Sequence, residues 1–318
     1  MAVYLITGGG GFIGSALTRA LLQRGHAVRV LDNFATGRRE NLREVQDRIE
    51  LFEVDICNLE QLRPAFEGVD YVLHQAALPS VPRSIQDPVA SNRVNVEGTL
   101  HVLLAARDAK VKRVVYAASS SAYGDMPTLP KVETMPPRPI SPYGVTKFTG
   151  ELYAQVFTQV YGLETVSLRY FNVFGPRQDP SSPYSGVLSK FITAMLRGER
   201  PTIYGDGQQS RDFTYVDNVV EANLLACHAP QVSGKVINIA TGRRETLNEM
   251  LVTLARIIGK PANAINAPPR SGDILHSIAD IQLAREMLGY EPKILFEEGL
   301  QRTVEWYRSN PLASLGSV

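Results

Sequence analysis

Cysteine is nearly missing from this 318-residue chain: only Cys57 and Cys227 are present, far apart and in no metal-ligand spacing. That excludes a disulfide framework and a cysteine-based zinc module, and it leads us to expect a reduced, cytoplasmic setting. Long apolar runs are also missing. The first one, Val3 to Ile6, meets glycines at once, far short of the roughly 20 residues a membrane-spanning helix needs, and it has no signal-peptide pattern. Charge of one sign is lacking too. With 33 basic and 32 acidic residues the formal net charge is +1, so neither nucleic acid nor an acidic membrane surface is an expected partner. What remains is 44% apolar residues, enough to bury a large core without covalent staples.

Strand-like runs alternate with helix patterns through the first half. The strands read Val3–Thr7, Ala27–Asp32, Glu50–Asp55, Tyr71–Gln75, Val111–Ser119 and Thr165–Asn172. Between them, Phe12–Arg24, Leu59–Phe66, Asn92–Asp108 and Tyr143–Tyr161 carry helical periodicity. Near-continuous apolar strands in such alternation predict an α/β fold, a Rossmann-type doubly wound parallel sheet covered on both faces. After Pro176 the texture changes: Pro and Gly become frequent and the alternation breaks up. We therefore expect a nucleotide-binding domain over 1–175 and a smaller mixed α/β domain over 176–318. Helices are expected at Leu188–Arg197, Asp217–Cys227, Leu247–Ile258 and Glu298–Tyr307, and Phe213–Asp217 and Val236–Thr241 are candidates to rejoin the main sheet. Ligands in such folds sit at the carboxyl ends of the strands, between the lobes.

Residues 7–14 read Thr-Gly-Gly-Gly-Gly-Phe-Ile-Gly, placing Gly8, Gly11 and Gly14 three apart between the first strand and the first helix. Glycine permits positive φ and lets backbone approach a pyrophosphate, while the helix N-terminus offers free N–H groups to phosphates. A glycine-rich turn alone would be ambiguous, but here Asp32 ends the second strand, where a carboxylate accepts hydrogen bonds from an adenosine ribose and repels a 2′-phosphate. NAD is the expected cofactor; Arg38 and Arg39 keep NADP in play. Asp55 and Ile56, at the end of the third strand, are placed to frame the adenine.

Tyr143 and Lys147 lie four apart at the start of a helix, hence on one face, with Ser141 as a candidate N-cap and Pro142 after it. An ammonium near a phenol favours phenolate, which could take a proton from a hydroxyl while hydride leaves the carbon. A surface tyrosine with a solvated lysine would have the same spacing. Ser119, Ser120 and Ser121 end the fifth strand; a serine there can hold the reacting hydroxyl, or merely satisfy its own backbone. The conjunction of glycine loop, Asp32, serine run and Tyr/Lys pair, in that order, favours a hydride-transfer site.

These segments, with His-Gln-Ala-Ala (74–77), Asn-Val-Glu-Gly-Thr (95–99), Arg-Tyr-Phe-Asn-Val-Phe-Gly-Pro-Arg (169–177), Arg-Asp-Phe-Thr-Tyr-Val-Asp (211–217) and Asn-Ile-Ala-Thr-Gly (238–242), resemble the extended short-chain dehydrogenase/reductase superfamily over nearly the whole chain. Within it the likeness is closest to UDP-hexose 4-epimerases, especially those acting on UDP-N-acetylglucosamine. The resemblance implies catalysis by Ser119, Tyr143 and Lys147. It implies NAD contacts from Gly8, Gly11, Phe12, Ile13, Asp32, Asn33, Thr36, Gly37, Asp55, Ile56, Gln75, Ala76, Ala77, Asn95 and Tyr170, besides Tyr143 and Lys147. For a UDP-sugar it implies Ser120 and Ser121 near the sugar, Asn172, Arg211 and Arg270 on the diphosphate, Asp273 on the uridine ribose, and Leu188 and Tyr204 flanking the uracil. Arginine suits phosphate by its fork of donors, although an interlobe ion pair would use the same residue. No metal is implied.

Sugar 4,6-dehydratases need an acid pair where Ser120 and Ser121 stand, and nucleotide-sugar decarboxylases usually carry glutamate at the Ser121 position. UDP-glucuronate 4-epimerases tend to have threonine in place of Asn172, though Pro79 keeps that group open. Ser277, where strict UDP-glucose/galactose epimerases often place tyrosine, leaves room for a 2-N-acetyl group. The expected reaction is oxidation at C4 to a 4-keto sugar, rotation of the tethered hexose and return of hydride to its other face. UDP-glucose and UDP-glucuronate 4-epimerases remain alternatives, as do a 4-keto reductase and a non-catalytic NAD-sensing protein. The resemblance further implies a homodimer through a four-helix bundle, with Leu103, Leu104, Leu152, Val156 and Val160 as surplus apolar positions.

Overall fold

The computed structural model describes residues 1–179, 186–269 and 275–310. The chain begins β1 (Val3–Thr7), α1 (Phe12–Gln23), β2 (Ala27–Leu31), β3 (Glu50–Phe52), α2 (Leu59–Leu62) and β4 (Tyr71–His74). Next come α3 (Val81–Gln86), α4 (Pro88–Asn92), α5 (Gly98–Asp108), β5 (Arg113–Ser119), α6 (Pro142–Tyr161) and β6 (Glu164–Tyr170). After these lie β7 (Val173–Phe174), α7 (Val187–Arg197), β8 (Thr202–Tyr204), β9 (Ser210–Arg211), β10 (Thr214–Tyr215), α8 (Val216–His228) and β11 (Lys235–Ile239). The chain closes with β12 (Glu245–Thr246), α9 (Leu247–Ile258), β13 (Ile265–Ala267), α10 (Gln282–Leu288) and α11 (Phe296–Ser309).

Seven strands form one parallel sheet in the order β3-β2-β1-β4-β5-β6-β11. The doubly wound α/β architecture expected from the strand–helix alternation is therefore present. Order reverses between β1 and β4, where Thr7 sits beside His74, so the crevice at their carboxyl ends is the topological site for a ligand. Helices cover both faces because the strands are apolar on both sides. On one face Leu17 and Leu21 of α1 and Val219 of α8 pack on Ile6, Val30 and Val166. On the other, Leu62, Val102 and Leu103 meet Leu5, Val72 and Val114.

Val236–Thr241 does rejoin the main sheet, as β11 beside β6. Phe213–Asp217 does not: its Thr214 and Tyr215 pair with Val173 and Phe174 in a separate two-stranded ribbon. Two residues cannot extend a seven-stranded sheet, but they do orient the chain entering α8. The expected helix Asn92–Asp108 is interrupted by a π-turn over 93–97, and the short helices α3 and α4 ahead of it carried too little periodicity to be read. Leu103 is buried under α5, 1% exposed, in the core rather than on the surface; its surplus was apparent only because both sheet faces are apolar. No helix among the described residues is long and apolar enough to cross a membrane.

The second core joins α7, α9 and α11 around Phe191, Met250 and Val304. Its best-capped helix is α9, where Thr246 and Glu249 cap each other reciprocally, an arrangement that stabilises a helix start by about 1 kcal/mol.

Candidate active site

The glycine loop is shaped by backbone crowding. Gly8 has φ +70°, and a Cβ there would stand 2.7 Å from the Ala76 nitrogen; a Cβ on Gly14 would stand 2.2 Å from the Gly8 carbonyl oxygen. Only glycine lets β1, α1 and the end of β4 approach so closely. No side chain caps α1, which leaves the N–H groups of Phe12, Ile13 and Gly14 for an anion. Asp32 is 7% exposed. Its Oδ2 accepts the Gly10 N–H at 2.8 Å and its Oδ1 the Phe34 N–H at 2.8 Å. Burial pushes its carboxyl up, and these two backbone donors pull it back. Two acceptor sites used out of about four leave capacity for ribose hydroxyls. A cradle that a Cβ would fill, an uncapped helix start and an unsaturated carboxylate together fit a dinucleotide.

Arg38 and Arg39, the residues that kept a 2′-phosphate in play, are engaged elsewhere. Arg38 pairs with Asp179 at 2.7 Å, and Arg39 pairs with Glu53 while lying 4.3 Å over the Phe34 ring. Gly37 is pressed against the Asp32 carboxylate, where a Cβ would stand 2.9 Å from Oδ2. Asn33 and Thr36 are exposed beside it, and Asn33 donates to Asp55 at 3.2 Å.

Several expected cofactor contacts have another occupation. Ile56 is packed in the core under Gly98, so only its backbone is at the strand end. Asn95, 1% exposed, accepts the Leu78 N–H at 2.8 Å and donates to Thr146 at 3.1 Å; it is a buried strut within the π-turn. Gln75 and Tyr170 meet each other and Asn223 of α8 in a small polar cluster, with the Tyr170 phenol pushed up to about 12 by burial. Ala76 and Ala77 remain at the crevice edge, half-buried. Asn223 gave no sequence signal, because one buried amide in an amphipathic helix looks like any polar position.

The expected N-cap is present: Ser141 accepts the Gly144 N–H at 3.1 Å, with Pro142 in the first turn. The Tyr143 N–H is taken by the Ser84 hydroxyl of α3 at 3.0 Å, so α3 fixes the start of α6. Ser119 ends β5 with its hydroxyl 2.7 Å from that of Ser121. Burial pushes the Tyr143 phenol up, and its hydrogen-bonding neighbour Ser119 pulls it down. Lys147 shares the helix face but donates to the Ala117 carbonyl at 2.7 Å and lies 4.9 Å from the Tyr116 ring centre.

A separate cavity of about 570 Å³ opens in the second lobe, lined by Asn172, Leu188, Tyr204, Arg211 and Phe213 among others. Four expected substrate residues thus converge, in a volume suited to a nucleotide-sized ligand. Asn172 is held at φ +32° and donates to the Asp212 carbonyl at 3.1 Å. Arg211 donates to the carbonyls of Ser210 and Leu275. Ser277 is anchored to Ser210 through its backbone N–H at 3.0 Å and lies off the cavity wall. Ser120 is half-buried at the other end of the crevice. Arg270 and Asp273 lie outside the described residues. Among the described residues no His, Cys, Asp and Glu cluster that could hold a metal ion.

Residues 4–240 match the model of the NAD dependent epimerase/dehydratase family. The chain belongs to that family. A curated relative, the UDP-glucose 4-epimerase of Mycolicibacterium smegmatis, is 39% identical over 310 residues, covering 96% of this chain and 98% of its own. The solved UDP-glucose 4-epimerase of Thermotoga maritima, bound to UDP-glucose, superposes with TM-score 0.93 at 40% identity, covering 97% and 99% of the two chains. A UDP-N-acetylglucosamine 4-epimerase from Methanobrevibacter ruminantium, in complex with UDP-N-acetylmuramic acid, gives TM-score 0.93 at 39% identity with the same coverage. As an enzyme of the epimerase/dehydratase family, the chain has NAD as its cofactor.

Proposed function

We propose that this enzyme is a UDP-N-acetylglucosamine 4-epimerase, interconverting UDP-N-acetylglucosamine and UDP-N-acetylgalactosamine. The observation that carries the proposal is the convergence of Asn172, Leu188, Tyr204 and Arg211 on one cavity, in a chain whose Ser119 and Tyr143 lie at the carboxyl edge of a Rossmann sheet. In this reading residues 1–175, with the returning strand β11, hold the cofactor, and 176–318 hold the nucleotide sugar. Gly8, Gly11, Phe12, Ile13 and Asp32 hold the dinucleotide at its phosphates and ribose. Asn172 and Arg211, with Arg270, clamp the diphosphate; Asp273 binds the uridine ribose, and Leu188 and Tyr204 flank the base.

NAD, held by the glycine loop and Asp32, would supply a hydride acceptor and donor together with a positive charge. Tyr143 accepts the proton of the sugar 4-hydroxyl, with Ser119 hydrogen-bonded between them. Lys147 keeps positive potential under the site and stabilises the phenolate once it forms. Tight holding at the diphosphate and loose holding at the hexose let the sugar present its other face. The choice of an N-acetylated sugar rests on the likeness of the sequence motifs to UDP-N-acetylglucosamine 4-epimerases, one of which is 39% identical, with UDP-glucose as the second substrate of interest.

The chain is further proposed to form a homodimer. On α6 the side chains of Val145, Leu152, Val156 and Val160 are 49%, 46%, 44% and 66% exposed. They lie 7, 4 and 4 residues apart along α6, one face of a helix. A monomeric mass in solution at micromolar protein would reject the dimer. The test of function is separate incubation with UDP-N-acetylglucosamine, UDP-glucose and UDP-glucuronate, without added NAD, followed by sugar analysis. Conversion of the first at the highest rate is expected; conversion of UDP-glucuronate alone, or of none, overturns the reading.

A further inference from the structure

We propose that Glu151 and Arg169 form a buried positioning pair that sets the charge of Lys147 and so the working pH of the Tyr143 site. The proposal rests on the roles given to Tyr143 and Lys147 above. Tyr143, Lys147 and Glu151 follow one another at four-residue spacing on α6, so they lie on one helix face. At the far end of that face Glu151 meets Arg169 of β6 through two hydrogen bonds, 2.9 and 2.7 Å, with side chains 1% and 3% exposed. The guanidinium lies 4.6 Å over the Tyr123 ring, and its Nη1 has no hydrogen-bond partner among the described residues.

Lys147 is as deeply buried, at 4% exposed. Among the described residues its one hydrogen-bond acceptor is the Ala117 carbonyl, and no carboxylate there reaches ion-pair distance. The titratable groups around it are His74 from β4, Tyr116 from β5 and Glu151 from α6, with Tyr143 one helical turn before it on α6 and Arg169 of β6 beyond Glu151. Tyr123 and Glu133 face Arg169 in turn. Of these, Glu151 is the one anion acting on Lys147. Burial pulls the lysine down to about 8, and Glu151 pulls it back up. Glu151 in turn is pushed up by burial and drawn down by Arg169 and Lys147.

A pair serving stability alone could be replaced by apolar side chains at little cost. What apolar side chains could not do is place a negative charge one helical turn from Lys147. Two consequences of opposite sign follow. Removing the Glu151 charge leaves Lys147 and Arg169 as two buried cations with no anion between them, so Lys147 gives up its proton at lower pH. Removing the Arg169 charge leaves Glu151 to serve Lys147 alone, so Lys147 holds its proton to higher pH.

The test is a pH titration of the full-length protein labelled with ¹³Cε-lysine. The Lys147 signal is identified by its loss in Lys147→Met, and the pH profile of sugar conversion is recorded in parallel. Burial is expected to place the wild-type midpoint at about 8, below the ordinary lysine value. In Glu151→Gln it is expected about one pH unit lower, on the order of what one charge at helix-turn distance produces. In Arg169→Met it moves up, and the alkaline limb of activity follows in both variants. The double variant Glu151→Gln/Arg169→Met leaves no unpaired buried charge at the pair and should fold if a single one does not; its midpoint falls between those of Glu151→Gln and the wild type. Folded variants whose lysine midpoint stays at the wild-type value overturn the proposal. Should the midpoints move while no nucleotide sugar is converted by the wild type, the pair stands as a charge-setting device and the reading of the site falls.

Discussion

Two buried aspartates invite comparison. Asp32 follows β2 beside the glycine loop and is 7% exposed; Asp212 follows β9 in the second lobe and is 0% exposed. Burial pushes both carboxyls up, and hydrogen-bond donors pull both back. Yet Asp32 receives two N–H groups. Asp212 receives four donors: the Thr241 N–H and hydroxyl, the Gly242 N–H and the Ala279 N–H. A carboxylate has about four acceptor positions. The first is half used and free to bind; the second is saturated and ties three chain segments together. Residual acceptor capacity, rather than burial, separates a binding carboxylate from a structural one.

The comparison breaks most visibly at Asp212. Asp212→Ala would leave four donors without their acceptor, so unfolding free energy is expected to drop by at least about 4 kcal/mol, read as a large fall in Tm in thermal unfolding. A drop under about 1 kcal/mol would mean that the hub is not what joins these segments. Asp32→Ala should do the reverse: a small change in Tm, but NAD binding about 10- to 100-fold weaker, measured by calorimetry on cofactor-stripped protein.

Acidification sharpens the contrast. A carboxyl raised on folding binds its proton more readily in the native state, so Asp32 and Asp212 do not drive acid unfolding. His74 does. It is buried between Thr7 at 2.7 Å and Thr99 at 3.0 Å, and desolvation lowers it from 6.5 to about 3. The unfolded chain takes up a proton there that the folded chain refuses, so stability falls as pH drops from 6.5 towards 3, by up to about 1.4 kcal/mol per pH unit. Denaturant unfolding across that range should show the slope, and His74→Asn should flatten it. The smallest effect is expected at Arg39→Ala, since Arg39 and its partner Glu53 are both more than half exposed; stability should change by less than about 1 kcal/mol, with NAD preferred over NADP as before.

The same two aspartates show what was legible in the sequence. Asp32 announces itself because a strand end, a glycine loop and a carboxylate occur in a fixed local order. Asp212 sits in a motif that was visible, but its partners at 241–242 and 279 are brought to it by the fold. The parallel sheet was readable because six strand-like runs, most of them apolar throughout, alternate with helix patterns, while the seventh strand at 236–241 was a candidate only. The two-residue ribbons, the π-turn that gives Asn95 its buried place, and the Gln75–Tyr170–Asn223 cluster were not, since each depends on contacts between distant segments. Glu151 lay within reach: it continues the Tyr143, Lys147 spacing by one more step. Its partner Arg169, on the neighbouring strand, did not.

The direct test of the account is Tyr143→Phe, which removes one hydroxyl from a helix start otherwise held by Ser141, Pro142 and Ser84. Sugar interconversion should fall by about 10²- to 10⁴-fold while binding of the nucleotide diphosphate, followed by calorimetry, stays within a few-fold of wild type. Turnover unchanged in this variant would contradict a proton-transfer role for the phenol and with it the whole reading of the crevice.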